Sequence, residues 1–121
     1  HAGGLHGLTR ALEMARFERV AVTACDMPNL NLAYWQWLLG SQPADIIIPE
    51  NPEGFLEPLA AVYTKTCLEA VKAALEAGNL KMTGWWYKTS LRLVRVPWLE
   101  VRERFGEAIF LNANTPTDLR D

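Results

Sequence analysis

The sequence has little cysteine and no long apolar run. Its 121 residues include only two cysteines, Cys25 and Cys67, which fit neither a disulfide framework nor a metal cluster and indicate a reducing cytoplasm. No apolar run approaches the roughly 20 residues that a helix needs to cross a bilayer. The start, His1 to Gly4, has neither the charged region nor the apolar region of a signal peptide.

Clustered charge is also lacking. Twelve basic and 14 acidic residues give a net charge of −2, and no basic patch stands out. The composition therefore predicts neither nucleic acid nor a membrane as a partner. Half of the residues are hydrophobic, so the chain can form one domain that buries roughly two-thirds of its unfolded surface.

The apolar, β-branched run Val20–Ala24 ends at Asp26 and Pro28. A short run without alternation is typical of a strand buried on both faces of a parallel sheet, and the proline ends it. Asp26 is then expected at the carboxyl edge of the sheet, where ligands bind in open α/β folds. A carboxylate there can hold magnesium, but capping of the next turn explains it equally well.

Strands and helices are predicted to alternate along the chain, which indicates an α/β fold. The expected further strands are Ala44–Ile48, Glu57–Tyr63 and Leu91–Val96. Four helices are expected. The first has Leu5, Leu8 and Leu12 on one face, and the second runs from Leu32 to Leu39 with Trp35, Leu38 and Leu39 toward the core. The third has Cys67, Val71 and Leu75 on one face, and the fourth is a short helix through Trp85 and Trp86.

Two polar segments are candidates for ligand contacts. The glycines before and within the start of the first helix leave backbone N–H groups that favour anions, although a flexible connection is the alternative. Asn112 and Asn114 precede Thr115-Pro116, a pair that typically starts a helix. Their amides can serve a ligand or simply form the turn and cap.

Three stretches, in this order, resemble the molybdenum cofactor guanylyltransferases. Gly3–Leu8 is similar to the family's Gly-Pro-Leu-x-Gly segment, and Ala24–Pro28 to its Cys-Asp-x-Pro segment. Asn112–Pro116, followed by Asp118-Leu119, matches the Asn-x-Asn-Thr-Pro-x-Asp-Leu ending. Pro58–Tyr63 also resembles a family strand, so the resemblance covers essentially the whole chain.

The resemblance implies a Rossmann-like nucleotidyltransferase fold with three layers and a mostly parallel sheet. The reaction that the resemblance implies transfers GMP from Mg·GTP to the phosphate of molybdopterin. Apo-molybdoenzymes are further candidate partners. A metal and backbone N–H groups must offset the repulsion between two anions. The residues implied are Asp26 as the catalytic magnesium ligand; Gly3, Gly4, Leu5, Gly7 and Asp26 for the nucleotide; and Asn112 and Asn114 for the pterin side.

Two features of this sequence depart from the family pattern. The family's glycine-rich loop, which ends in Asp-Lys and cradles the triphosphate, is missing, and Glu57 replaces a usual His or Gln. We therefore expect residues 1–121 to be the carboxyl-terminal two-thirds of a single domain that is inactive alone. The alternatives are cytidylyl or other nucleotidyl transfer to a phosphate, and a non-catalytic cofactor-binding fragment.

Overall fold

The computed structural model describes residues 4–24 and 26–112, so Gly3 and Asn114 lie outside the described residues. The elements in chain order are α1 (Gly4–Met14), β1 (Arg19–Thr23), α2 (Leu32–Leu39), β2 (Ile46–Pro49), β3 (Ala60–Thr64), α3 (Leu68–Glu76), β4 (Leu93–Val96) and α4 (Trp98–Phe105). This alternation confirms the α/β prediction. None of these helices is both long and apolar enough to cross a membrane.

The four strands form one sheet in the order β1-β3-β2-β4. Strand β3 is antiparallel to both β1 and β2, and only β2 and β4 form a parallel pair. The expectation of a mostly parallel sheet is therefore wrong for the described pairs. The reason is the connection 50–59, which contains no helix, whereas a parallel crossover needs about a dozen residues or more, usually with a helix.

Helices cover the sheet on both faces, which confirms the three-layer prediction. On one face, α1 and α3 pack over Ile46, Ile48 and Tyr63. On the other face, α2 and α4 pack over Ile47 and Val62. The two strands buried on both faces are thus β2 and β3, because they lie in the middle of the sheet.

Strand β1 differs from its prediction. Val20 and Val22 are only half-buried, and Arg19, Ala21 and Thr23 are exposed. The expectation of burial on both faces is therefore wrong. The cause is the position of β1 at the edge of the sheet, where only the valine side packs against the core that α1 and α3 cover.

Backbone hydrogen bonds define the free edge of β1. The N–H of Lys65 donates to the carbonyl oxygen of Glu18 at 2.9 Å, and the N–H of Ala24 donates to that of Leu59 at 3.1 Å. Because alternate residues of an antiparallel strand bond to the same neighbour, even-numbered residues of β1 bond to β3. The backbone N–H and C=O groups of Arg19, Ala21 and Thr23 therefore point away from β3.

The first two helices follow their predictions closely. In α1, Leu5, Leu8 and Leu12 are buried as expected. The Asn31 side chain accepts a hydrogen bond from the Tyr34 N–H at 2.9 Å and so caps α2, as expected. The buried face of α2 is centred on Tyr34 and Leu38, whereas Leu39, expected in the core, is exposed.

The region after α3 was predicted less well. Trp85 and Trp86 lie in a turn, so the short helix expected there is wrong. Gly84 has a φ of +88°, a left-handed conformation that is incompatible with continuing a helix. Helix α4 was missed, although Trp98, Val101 and Phe105 have helical spacing.

Candidate functional site

Asp26 lies where the sequence placed it, in the turn after β1. The N–H of Met27 donates to the carbonyl oxygen of Ala24 at 3.4 Å, which turns the chain away from the sheet. The neighbouring bond from Ala24 to Leu59 holds this turn beside the segment that leads into β3. Strands β1, β2 and β4 all end at this edge, which is the edge where open α/β sheets usually bind ligands.

The Asp26 carboxylate is accessible to a ligand. Asp26 is partly exposed and forms no salt bridge with another described residue. The described residues contain no group of three His, Cys, Asp or Glu that could enclose a metal ion. A single accessible carboxylate nevertheless fits magnesium that arrives with a triphosphate, because that ion commonly takes one or two carboxylates and completes its shell with phosphate and water.

A second turn packs against the Asp26 turn. The side-chain amide of Asn29 donates to the carbonyl oxygen of Ala108 at 2.7 Å. Met27 shares a buried cluster with Ile109 and Phe110. These contacts bring the chain leading to Asn112 next to the chain leading from Asp26, although many residues separate them in sequence.

Asn112 is half-buried, and its Oδ1 atom is fully buried without a hydrogen-bond partner among the described residues. A buried amide oxygen normally accepts a hydrogen bond. In this structure the Asn112 amide oxygen is enclosed and is not exposed to an approaching ligand.

The amino end of α1 is placed toward the same edge. The chain reverses between Ala15 and Glu18, so α1 runs antiparallel to β1 and begins near the end at which β1 stops. Gly4 begins the helix with a φ of +75°, and an added Cβ would meet nothing within 4 Å. Gly7 is partly exposed. The Leu5 side chain is buried in the core, so only the backbone of Leu5 can face a nucleotide.

The connection between β2 and β3 is organised by one side chain. Asn51 Oδ1 accepts hydrogen bonds from the N–H groups of Glu53 at 3.0 Å and Phe55 at 2.9 Å. Asn51 Nδ2 donates to Glu57 Oε2 at 2.9 Å. Burial raises the pKa of the Glu57 carboxyl, an effect that the Asn51 bond opposes. The sequence gives Asn51 only a generic loop signal, so this clamp was not predicted.

A cleft of about 380 Å³ lies beside this connection. Its lining residues are Leu56, Asn79, Lys81, Thr83, Gly84, Trp86 and Tyr87. The Trp85 indole N–H donates to Met82, but the buried Trp86 Nε1 has no partner among the described residues. Sequence reasoning missed this cleft, although the adjacent Trp85, Trp86 and Tyr87 near a lysine were a usable signal.

Comparison with known families identifies the fold. Residues 1–89 match the family model described as "MobA-like NTP transferase domain". The chain belongs to this family of nucleotidyltransferases. The match includes Asp26 and the α1 glycines, which are therefore residues of the family domain.

The names of curated relatives agree with this assignment. The chain is 33% identical over 122 residues to "Probable molybdenum cofactor guanylyltransferase" of Pelotomaculum thermopropionicum, a match that covers 97% of this chain and 57% of the relative. It is 33% identical over 119 residues to "Molybdenum cofactor guanylyltransferase" of Desulfosudis oleivorans, covering 97% of this chain and 58% of that protein. The chain thus spans little more than half of the length of these relatives.

A solved structure agrees as well. "Molybdopterin-guanine dinucleotide biosynthesis protein A" from Archaeoglobus fulgidus superposes with a TM-score of 0.78 at 28% identity. The superposition covers 98% of this chain and 60% of that chain. This solved structure therefore shares the fold of the chain.

Proposed function

We propose that this chain is part of an enzyme that transfers GMP from Mg·GTP to the phosphate of molybdopterin and releases pyrophosphate. The observation that carries the proposal is the packing of the Asp26 turn against the turn that leads to Asn112, in a chain of the MobA-like family. This packing brings the partly exposed Asp26 and the segment of Asn112 together at the carboxyl edge of the sheet. The names of the relatives supply the reaction.

Asp26 is proposed to hold the magnesium ion, which when bound offsets negative charge on the phosphates. The backbone N–H groups at the start of α1, from Gly3 to Gly7, would face the same anion, since free amides at a helix start favour negative charge. Asn112 and Asn114 would contact the pterin side. Together these residues would align the acceptor phosphate with the α-phosphate, and the protein itself would supply no nucleophile.

We propose that residues 1–121 form the carboxyl-terminal part of one nucleotidyltransferase domain. This is supported by matches that cover 97% of this chain but only 57–58% of two relatives. A triphosphate-binding loop with a lysine would then be supplied by a preceding segment. Its two cysteines, which form no recognisable framework, agree with a cytoplasmic enzyme.

The test joins this chain to the segment of the Desulfosudis oleivorans relative that precedes the matched region. GMP transfer from GTP to molybdopterin is measured for the chimera, the 121-residue chain and an Asp26→Asn chimera. We expect activity in the chimera, at least a hundredfold less in Asp26→Asn, and negligible activity in the chain alone. A folded, inactive chimera overturns the proposed reaction, and robust turnover by the chain alone overturns the proposed division of the domain.

A non-catalytic role in cofactor binding is the second candidate. It is favoured by the lack of a match to the family's triphosphate loop in these 121 residues. Calorimetry with molybdopterin, Mg·GTP and Mg·CTP distinguishes the possibilities. Binding of molybdopterin by a chimera that binds neither nucleotide supports the non-catalytic role, and a preference for Mg·CTP indicates cytidylyl transfer.

A further inference from the structure

The connection between β2 and β3 presents an aromatic ring to solvent. Phe55 is 71% exposed, although it belongs to a short loop whose backbone is closely hydrogen-bonded. Besides the two Asn51 Oδ1 bonds, the N–H of Asn51 donates to the Phe55 carbonyl oxygen at 2.7 Å. The N–H of Gly54 donates to the Asn51 carbonyl oxygen at 2.9 Å. These hydrogen bonds hold the loop in one conformation, and the Phe55 ring remains exposed and outside the core.

The base of the loop is fixed to the sheet. Glu50 and Leu56 form a β-bridge, and the N–H of Glu57 donates to the Pro49 carbonyl oxygen at 2.9 Å. Glu50 Oε2 also accepts hydrogen bonds from Arg95, whose Nε lies 3.1 Å away. A preordered loop loses little conformational entropy when a ligand binds.

The cleft beside the loop has the composition of a ligand site. Leu56, the next residue after Phe55, lines it. Across the cleft, Trp86 carries an indole N–H that is buried without a partner among the described residues. Tyr87 is 69% exposed and packs edge-on against Trp86. Lys81 adds a positive charge.

These groups favour one chemical class of ligand. Exposed aromatic rings offer stacking faces to a flat heterocycle, while the Lys81 ammonium group suits an anion or a carbonyl oxygen. A concave site with apolar walls and few polar groups is the usual form of a small-molecule site. A planar, negatively charged heterocycle satisfies all of these features.

We propose that Phe55, carried by the loop that Asn51 holds, stacks on the ring system of the acceptor substrate, a pterin, beside the adjacent cleft. This inference rests on the proposed function for the identity of the acceptor. Asn51 acts through Phe55 and is a positioning residue. Phe55 is a binding residue and takes no part in bond making.

The test measures the affinity of the 121-residue chain for pterin-6-carboxylate, a stable, fluorescent pterin, by fluorescence titration. Phe55→Ala is expected to weaken binding about tenfold, the loss typical of one aromatic stacking contact. Phe55→Tyr should bind like the wild type. Phe17→Ala is the matched control, because Phe17 is 77% exposed but precedes β1 at the opposite edge of the sheet.

A double-mutant cycle tests the role of Asn51. Asn51→Ala should weaken pterin binding in the wild-type background but have little further effect in the Phe55→Ala background. Equal effects in both backgrounds would show that Asn51 does not act through Phe55. Denaturation midpoints of all variants verify that they remain folded.

The outcomes separate this inference from the proposed reaction. Wild-type affinity in Phe55→Ala, equal losses in Phe55→Ala and Phe17→Ala, or no pterin binding by the wild type each overturns the inference. Loss of GTP affinity without loss of pterin affinity would also overturn it, since the ring would then stack on the nucleotide. The proposed reaction is judged separately, by GMP transfer in the chimera.

Discussion

The side-chain amide of Asn29 donates a hydrogen bond to the backbone carbonyl oxygen of Ala108 at 2.7 Å. This bond joins the turn that follows β1 to the turn that follows α4. It is the described polar contact by which the Asp26 side and the Asn112 side of the site are held in a common arrangement.

Asn29→Ala should therefore loosen the site more than it destabilises the fold. Loss of one partly exposed hydrogen bond is expected to lower the free energy of unfolding by about 1 kcal/mol. In the active chimera, the KM for molybdopterin should rise while the KM for GTP changes less. Urea denaturation and initial rates measure both effects. Gln36→Ala, at an exposed position of α2, is the control, and an equal rise in both Michaelis constants would contradict the expectation.

Glu57→Gln should increase stability at neutral pH. Burial raises the folded-state pKa of Glu57 above its ordinary value of 4.5, so folding favours the protonated form. This contribution is fully present below the unfolded-state pKa and is lost as pH rises through the folded-state pKa. We expect Glu57→Gln to be more stable than the wild type at pH 7, by less than about 1 kcal/mol because the group is half-exposed.

Urea denaturation of the two proteins between pH 4 and pH 7 checks this prediction. The difference should shrink toward pH 4, and the exposed Glu53→Gln should show a smaller difference throughout. A wild type that is the more stable protein at pH 7 would mean that the bond from Asn51 outweighs the cost of burial.

Asp45→Asn should show the opposite dependence on pH. A hydrogen bond from the Thr66 hydroxyl, aided by one from the Arg92 N–H at 2.7 Å, lowers the pKa of the Asp45 carboxyl below 3.8. The stabilisation is therefore present at neutral pH and is lost as pH falls through the folded-state pKa. We expect Asp45→Asn to cost about 1 kcal/mol at pH 7, a modest value because the carboxylate is solvated.

Thermal or urea unfolding at pH 7 and pH 3 measures this change. The wild-type advantage should diminish in acid. Glu103→Gln, an exposed substitution in α4, is expected to have little effect at either pH. An undiminished advantage at pH 3 would assign the effect to side-chain packing.

Two proline substitutions test the assignment of the free edge of β1. The Ala21 N–H points away from β3, so Ala21→Pro removes no bond of the described sheet. Val22 pairs with Ala61, so Val22→Pro removes a ladder bond and should cost about 2 kcal/mol more than Ala21→Pro. Urea denaturation compares the two variants. Equal losses would show that the assigned register is wrong.

Local patterns were sufficient for much of the fold. The spacing of Leu5, Leu8 and Leu12 predicted the buried face of α1, and Asn31 predicted the start of α2. The proline after the run at Val20 correctly placed Asp26 just beyond a strand. These features depend on neighbours within one or two turns of chain, which the sequence displays directly.

Strand direction and exposure depended on distant parts of the chain. A buried strand has the same apolar pattern in either direction, so nothing within Ala60–Thr64 shows that β3 is reversed. The exposure of Ala21 follows from the position of β1 at the edge of the described sheet, where one face of the strand is left uncovered. The bond from Asn29 to Ala108 joins positions 79 residues apart, and the cleft at Trp86 is formed by the β2–β3 connection and the segment after α3. No local pattern contains such contacts.

The Asp45 carboxylate accepts hydrogen bonds from Arg92, just before β4, and from Thr66, just after β3. These contacts lie at the opposite end of the sheet from Asp26. The chain thus has a polar anchor at one end of the sheet and the turns proposed to contact the substrates at the other. Under that proposal, substitutions in the turns around Asp26, Phe55 and Asn112 would alter which phosphate or base is accepted while the anchor still stabilises the sheet. Enzymes of different nucleotide preference can therefore descend from one such framework by exchanging residues at a single rim.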